Sequence, residues 1–145
     1  MKQLPILCIL ALLCFSPALG GCSATKTPVR ADLLHRSFEL VSADGKAVTG
    51  TPRKPDLAFD EEFRIAGGIC NRFVGQAELN GTILTVRQMA STRMLCPDET
   101  LNQLEHTFAS MLTQGATLNL TGETLTLRQG GHTLVYTVQK QAQAQ

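Results

Sequence analysis

The chain contains no tryptophan, one tyrosine and six phenylalanines, so aromatic side chains make up only 5% of its 145 residues. A flat aromatic platform for stacking sugars or bases is therefore not expected. Five consecutive like charges occur nowhere, and Lys+Arg (13) nearly equals Asp+Glu (12). A nucleic-acid surface needs a positive stripe, so no nucleic-acid partner is expected. No apolar stretch approaches the roughly 20 residues that span a bilayer as a helix.

Catalytic signatures are equally scarce. There is no Gly-x-Ser-x-Gly elbow, no phosphate loop ending in Gly-Lys-Ser/Thr and no Cys-x-x-Cys pair. His35, His106 and His132 stand apart, without metal-ligand spacing to one another or to a cysteine. No catalytic residue, metal site or cofactor is expected. Asp60, Glu61 and Glu62 are adjacent, whereas a glycosidase needs two separated carboxylates flanking a sugar. They read as a solvated turn. Gly67-Gly68 reads as a bulge or tight bend. The sequons at Asn80 and Asn119 read as chance matches.

What the chain does have is a leader. Lys2 is followed by an apolar run from Leu4 to Phe15, and then by Ser16-Pro17-Ala18 and Leu19-Gly20-Gly21-Cys22. A charged start, a short hydrophobic core and small residues before a cut make a secretory signal over residues 1–21. Ala18-Leu19-Gly20 would also suit an ordinary secretory cleavage. The cysteine at the site itself favours the bacterial lipoprotein pattern, in which the Cys22 thiol is acylated. A lipid-anchored protein on the outer membrane, its domain facing the periplasm, is the expected location. Ser23 after the cysteine, in place of an inner-membrane aspartate, points the same way.

Cleavage would leave 124 residues, one domain's worth. Lys2 leaves with the signal, which balances the side chains at 12 against 12. Residues 22–31 read as a short polar tether, 32–140 as the folded domain and 141–145 as a polar tail. Cys8 and Cys14 are lost with the leader and Cys22 is the lipid site, so only Cys70 and Cys96 enter the domain. An oxidising compartment favours pairing them. Closing a ring of about 27 residues stabilises by roughly 3.5 kcal/mol on the chain-entropy scale. Cys96 also stands just before a predicted helix, where a free thiol is acidified. A redox-sensing pair is therefore the other reading.

Within the domain the punctuation is that of strands. Phe38–Val41 runs into Asp44-Gly45, and Leu57–Phe59 and Phe63–Ile65 flank the acidic turn. Asn80-Gly81 sits between Gln76–Leu79 and Thr82–Val86, a strong hairpin signal. Leu118 and Leu120, Leu125 and Leu127, and Leu134 and Tyr136 alternate with polar residues and predict a meander with one buried face. One helix is predicted from Asp98 to Gln114. Leu101, Leu104, Phe108, Met111 and Leu112 fall at helical spacing, Pro97 is placed at the first helical position, and Gly115 is the stop.

Two segments, Cys70-Asn71-Arg72-Phe73-Val74-Gly75 and Met89-Ala90-Ser91-Thr92-Arg93-Met94-Leu95-Cys96, resemble the META (HslJ-type) domain family, and the likeness extends over about residues 32–140. The residues that carry it are Asn71, Phe73, Gly75, Thr92 and Met94 together with the two cysteines. The resemblance implies an α+β fold, with a strongly curled, mostly antiparallel, barrel-like sheet packed with one main helix. It also implies a non-enzymatic envelope protein linked to heat stress and novobiocin tolerance. The implied partner is an unidentified envelope protein or a small ligand held inside the curled sheet.

Overall fold

The computed structural model describes residues 26–140. The expected leader 1–21, the lipidation candidate Cys22, residues 23–25 and the tail 141–145 lie outside the described residues. Among the described residues, nine strands and one α-helix follow one another. The strands are β1 (Ser37–Ala43), β2 (Lys46–Ala47), β3 (Asp56–Phe59), β4 (Arg64–Gly68), β5 (Phe73–Asn80) and β6 (Ile83–Ser91), followed after the helix by β7 (Ala116–Thr121), β8 (Thr124–Gln129) and β9 (His132–Val138). The helix, α1 (Glu99–Gln114), lies between β6 and β7.

Every pairing among the described strands is antiparallel, in the order β2-β1-β3-β4-β5-β6-β7-β8-β9. β1 also pairs with β9, with Phe38 opposite Val138 and Leu40 opposite Tyr136. That contact closes eight strands into a barrel, and β2 hangs from β1 as a short flap. Closure removes the exposed sheet edges that an open meander would leave. β6 meets β7 at only two positions, Ile83–Thr117 and Leu84–Ala116. Over the rest of its length β6 packs against α1.

The period-two alternation of the strands sends one set of side chains inward. Leu118 lies opposite Leu127, and Leu127 opposite Leu134. Leu120, Leu125, Tyr136 and Leu40 form a neighbouring row. Phe38, Leu57, Ile65, Leu84, Leu118, Leu125 and Tyr136 are essentially inaccessible, and α1 adds Leu101, Phe108, Met111 and Leu112. Phe73 and Phe108 meet edge to face with ring centroids 5.2 Å apart, a favoured aromatic geometry. Side chains therefore fill the interior.

The helix starts one residue later than the sequence suggests. Asp98 is its cap, with an extended backbone, and its side-chain oxygen accepts from the Leu101 N–H at 2.9 Å. Pro97 thus precedes the cap and does not occupy the first helical turn. Gly115 ends the helix at φ +105°, donating its N–H to the Met111 carbonyl. The folded chain also reaches further back than Asp32. Pro28 is buried, residues 30–32 form a 3-10 turn, Lys26 pairs with Asp32 at 3.0 Å, and the Arg30 guanidinium lies over the Phe63 ring.

Strand direction sorts the loops into two ends. The N-terminal segment, the acidic turn 60–63, Gly81-Thr82 and Gly122-Glu123 share one end. The loops 48–55, 69–72 and 92–98 and the start of α1 share the other. Between them, β5 and β6 shift register at Gly75, where an added Cβ would run into the Val86 side chain and the Arg87 carbonyl. Gly75→Ala should therefore lower stability by about 1–3 kcal/mol, the cost of overpacking, although alanine normally outperforms glycine in a strand. Chemical denaturation of the two proteins measures it. A change below about 0.5 kcal/mol, the scale of ordinary surface substitutions, would show that the bulge relaxes freely.

Candidate functional site

The residues that carried the sequence resemblance converge at the second end. β4 leads into the loop through Gly68, whose φ of +146° is one that residues with a side chain rarely adopt. A Cβ there would collide with the Asn71 carbonyl oxygen. The tight approach turns the chain so that the Asn71 side chain points inward, and Asn71 is 6% exposed.

Its amide is fully used. Nδ2 donates to the Met94 carbonyl at 3.0 Å, and Oδ1 accepts from the Met94 N–H at 2.8 Å and from the Thr92 hydroxyl at 2.9 Å. The Thr92 hydroxyl oxygen in turn accepts from the Arg72 N–H at 3.0 Å, while the Thr92 N–H donates to the Arg72 carbonyl at 2.9 Å. Buried backbone groups outside regular structure need such partners. Phe73 and Gly75 sit next along the chain, Phe73 in the core and Gly75 at the bulge.

Cys70 and Cys96 are joined here by a disulfide, with Cα atoms 5.9 Å apart, within the usual range for a bridge. Their surroundings include residues that the sequence reading did not single out. The Glu105 carboxylate accepts from the Cys70 and Asn71 N–H groups at 2.8 and 3.1 Å. Asn102 accepts from the Cys96 N–H at 2.9 Å. The Arg53 guanidinium donates to the Asn71 carbonyl at 3.1 Å, while its Nε is buried without a hydrogen-bond partner. Arg72 pairs with Asp56 at 2.9 Å. A signal for Glu105 did exist: it lies four residues after Leu101 and three before Phe108, a charge on an otherwise apolar helical stripe.

Beside the disulfide an open depression of about 450 Å³ is lined by Asn71, Met89, Met94, Glu105, His106 and Phe108, among others. Met94, on its lining, and the next residue, Leu95, are 66% and 92% exposed.

Apart from His106 on the depression's lining, the other residues considered from sequence lie elsewhere. His132 meets Asp44 at 2.8 Å, and that hydrogen bond, with the Thr133 N–H, holds the Asp44 carboxyl below its ordinary value. His35 sits at a positive-φ turn and His106 is exposed on α1. The acidic turn is a fastening. Asp60 accepts from the backbone N–H groups of Glu62 and Arg64 and from Arg64 Nε at 2.8 Å, and Arg64 also pairs with Glu62. Desolvation opposes ionisation of Asp60, yet the Arg64 bonds bring its carboxyl below the ordinary value.

Asn71→Ala removes one donor and one doubly used acceptor from a half-buried junction, in which Asn71 is buried and Met94 is exposed. It should cost about 2 kcal/mol, since three hydrogen bonds of about 1 kcal/mol each are lost and water partly replaces them at the exposed Met94. Thr92→Ala should cost about 1 kcal/mol. Urea unfolding of both variants checks the order, and an equal or larger loss for Thr92→Ala would show that the amide is not the centre of the junction.

Comparison with known proteins agrees with this arrangement. The META domain family model matches residues 31–141. The heat shock protein HslJ of Escherichia coli (strain K12) is 38% identical over 130 residues, covering 88% of this chain and 93% of its own. A protein solved by NMR aligns with a TM-score of 0.69 at 40% identity, over 74% of this chain and 92% of that one. Another NMR structure, of a protein from Burkholderia xenovorans, aligns with a TM-score of 0.58 at 21% identity, over 97% of this chain and 100% of its own; that likeness bears on the fold. The match over nearly the whole folded domain establishes that the chain belongs to the META domain family.

Proposed function

We propose that this protein is a non-enzymatic lipoprotein of the outer envelope that takes part in the heat-stress response and in tolerance of antibiotics such as novobiocin. On this reading it acts by binding or stabilising an envelope component. The leader and Cys22 support the location, and the similarity to the heat shock protein HslJ supports the stress role.

The observation that carries the mode of action is the filled barrel. Tyr136, Phe38, Ile65, Leu118 and Leu125 have almost no accessible surface. A carrier that held its ligand inside the sheet would need that space, so the side-chain packing favours work at the outer surface. The two ends of the barrel supply the orientation. Lys26 packs at the end opposite the disulfide, and the four residues 22–25 span at most about 14 Å. A lipid on Cys22 would hold the N-terminal end close to the membrane and present the Asn71 end to the periplasm.

Three acyl chains hold far more firmly than one, so anchoring should be permanent and dependent on Cys22. Labelling cells with a palmitate analogue should mark the wild-type protein and leave Cys22→Ala unmarked. Retained label in that variant would remove the lipoprotein reading. In a deletion strain, the lipidated protein should restore heat and novobiocin tolerance, while a form secreted through a non-lipoprotein signal should fold and fail to restore it. Equal rescue by both would make the anchor dispensable and favour a diffusible carrier.

A further inference from the structure

We propose that the Cys70–Cys96 pair, once reduced, forms with Glu105 a binding site for a thiophilic divalent cation of the zinc type. The two Sγ atoms and a Glu105 carboxylate oxygen all lie within 4.8 Å of one another. These residues are 26 and 9 positions apart along the chain, so no local spacing motif announces them. Two thiolates and a carboxylate are a ligand set that zinc accepts, with a fourth position left for water.

The surroundings suit this role. Glu105 Oε2 is held by the Cys70 and Asn71 N–H groups, which fixes the carboxylate beside the sulfurs. Asn71 Nδ2 lies 3.7 Å from Cys70 Sγ, where a donor stabilises a thiolate. Asn102 anchors the Cys96 backbone. Outer contacts of this kind orient metal ligands and tune their affinity. Both cysteines are buried, and Glu105 also lines the open depression beside Asn71 and Met94, so the proposed site reaches solvent on its Glu105 side. The contacts that Glu105 and Asn102 make to the Cys70, Asn71 and Cys96 backbones do not use the sulfur–sulfur bond, so the chain that carries the ligands stays placed when the bond opens and the two sulfurs move apart.

The chemistry requires a dithiol reductant. Its two thiols become a disulfide as the Cys70–Cys96 bond breaks and takes up two electrons and two protons. The cation then binds both sulfurs and displaces those two protons, so binding weakens as pH falls. The oxidised protein offers Glu105 alone and does not bind.

The test uses the full chain in detergent with Cys8, Cys14 and Cys22 changed to Ser, so that only the pair remains. Protein reduced with dithiothreitol, freed of reductant and kept anaerobic should titrate for two thiols. It should take up one Co²⁺ with a thiolate-to-cobalt charge-transfer band and the strong visible bands of a four-coordinate ion. Zn²⁺ should bleach both. Glu105→Gln should weaken binding about tenfold or more, the scale seen when supporting groups around a metal are removed. Cys70→Ser leaves Glu105 unchanged and provides the independent arm, in which the band should be lost. Absence of the band in reduced parent protein with two titratable thiols overturns the proposal. So does equal affinity in Glu105→Gln, which would mean that the thiols bind the ion without a built site.

Discussion

The Asn71 side chain is the contact on which the second end of the barrel depends. Its amide presents a donor and an acceptor side by side, the same pair that a peptide group presents. It uses them on the carbonyl and the N–H of one residue, Met94. A strand neighbour would do the same, but the loops 69–72 and 92–98 are too irregular to pair through their own backbones along their length. Asparagine therefore substitutes for a piece of sheet. Alanine could fill the space but could not satisfy the two backbone groups, and aspartate has no donor for the Met94 carbonyl.

Closure of the barrel explains why such a device is needed at this end. The helix takes the place of a strand beside most of β6, and the chain must leave the sheet at Ser91 and return at Ala116. The exposed backbone at that departure is gathered by side chains. Asn71 takes Met94, Glu105 takes the two N–H groups of the 70–71 turn, Asn102 takes Cys96 and Asp98 takes the start of α1. The opposite end is simpler because β3–β4, β5–β6 and β7–β8 are joined there by tight turns.

What could be read in the sequence follows from the range of each interaction. The Asn80-Gly81 and Asp44-Gly45 turns, the alternation in Leu118–Tyr136 and the stripe of α1 are local, and each marks an element that the structure contains. The pairing of β1 with β9 joins residues about a hundred positions apart, and no local pattern encodes it. The resemblance supplied the curled sheet, whereas the residues alone gave only a meander with a buried face. Proline suits the first helical turn, which points to Pro97, but Asp98 offers a capping oxygen and so takes the boundary. The polar composition of the segment up to Ala31 suggests a tether and gives no sign of the buried Pro28 or of the contact of Arg30 with the Phe63 ring. Helical periodicity marks only apolar positions, so the charge of Glu105 between Leu101 and Phe108 carries no periodic signal.

The disulfide and the hydrogen-bond junction stabilise this end in different ways. A bridge acts mainly by restricting the unfolded chain, so its effect spreads over the whole folding equilibrium. The bonds of Asn71 and Glu105 act in the folded state and fix where the loops lie. Reduction would thus lower the stability of the entire domain while leaving the local arrangement specified. The same separation explains how a residue pair can serve as a staple in an oxidising compartment and still retain ordered positions for its sulfurs. Loss of Asn71 would have the converse effect, leaving the covalent bridge intact but removing the contact that tells the 92–98 loop where to sit.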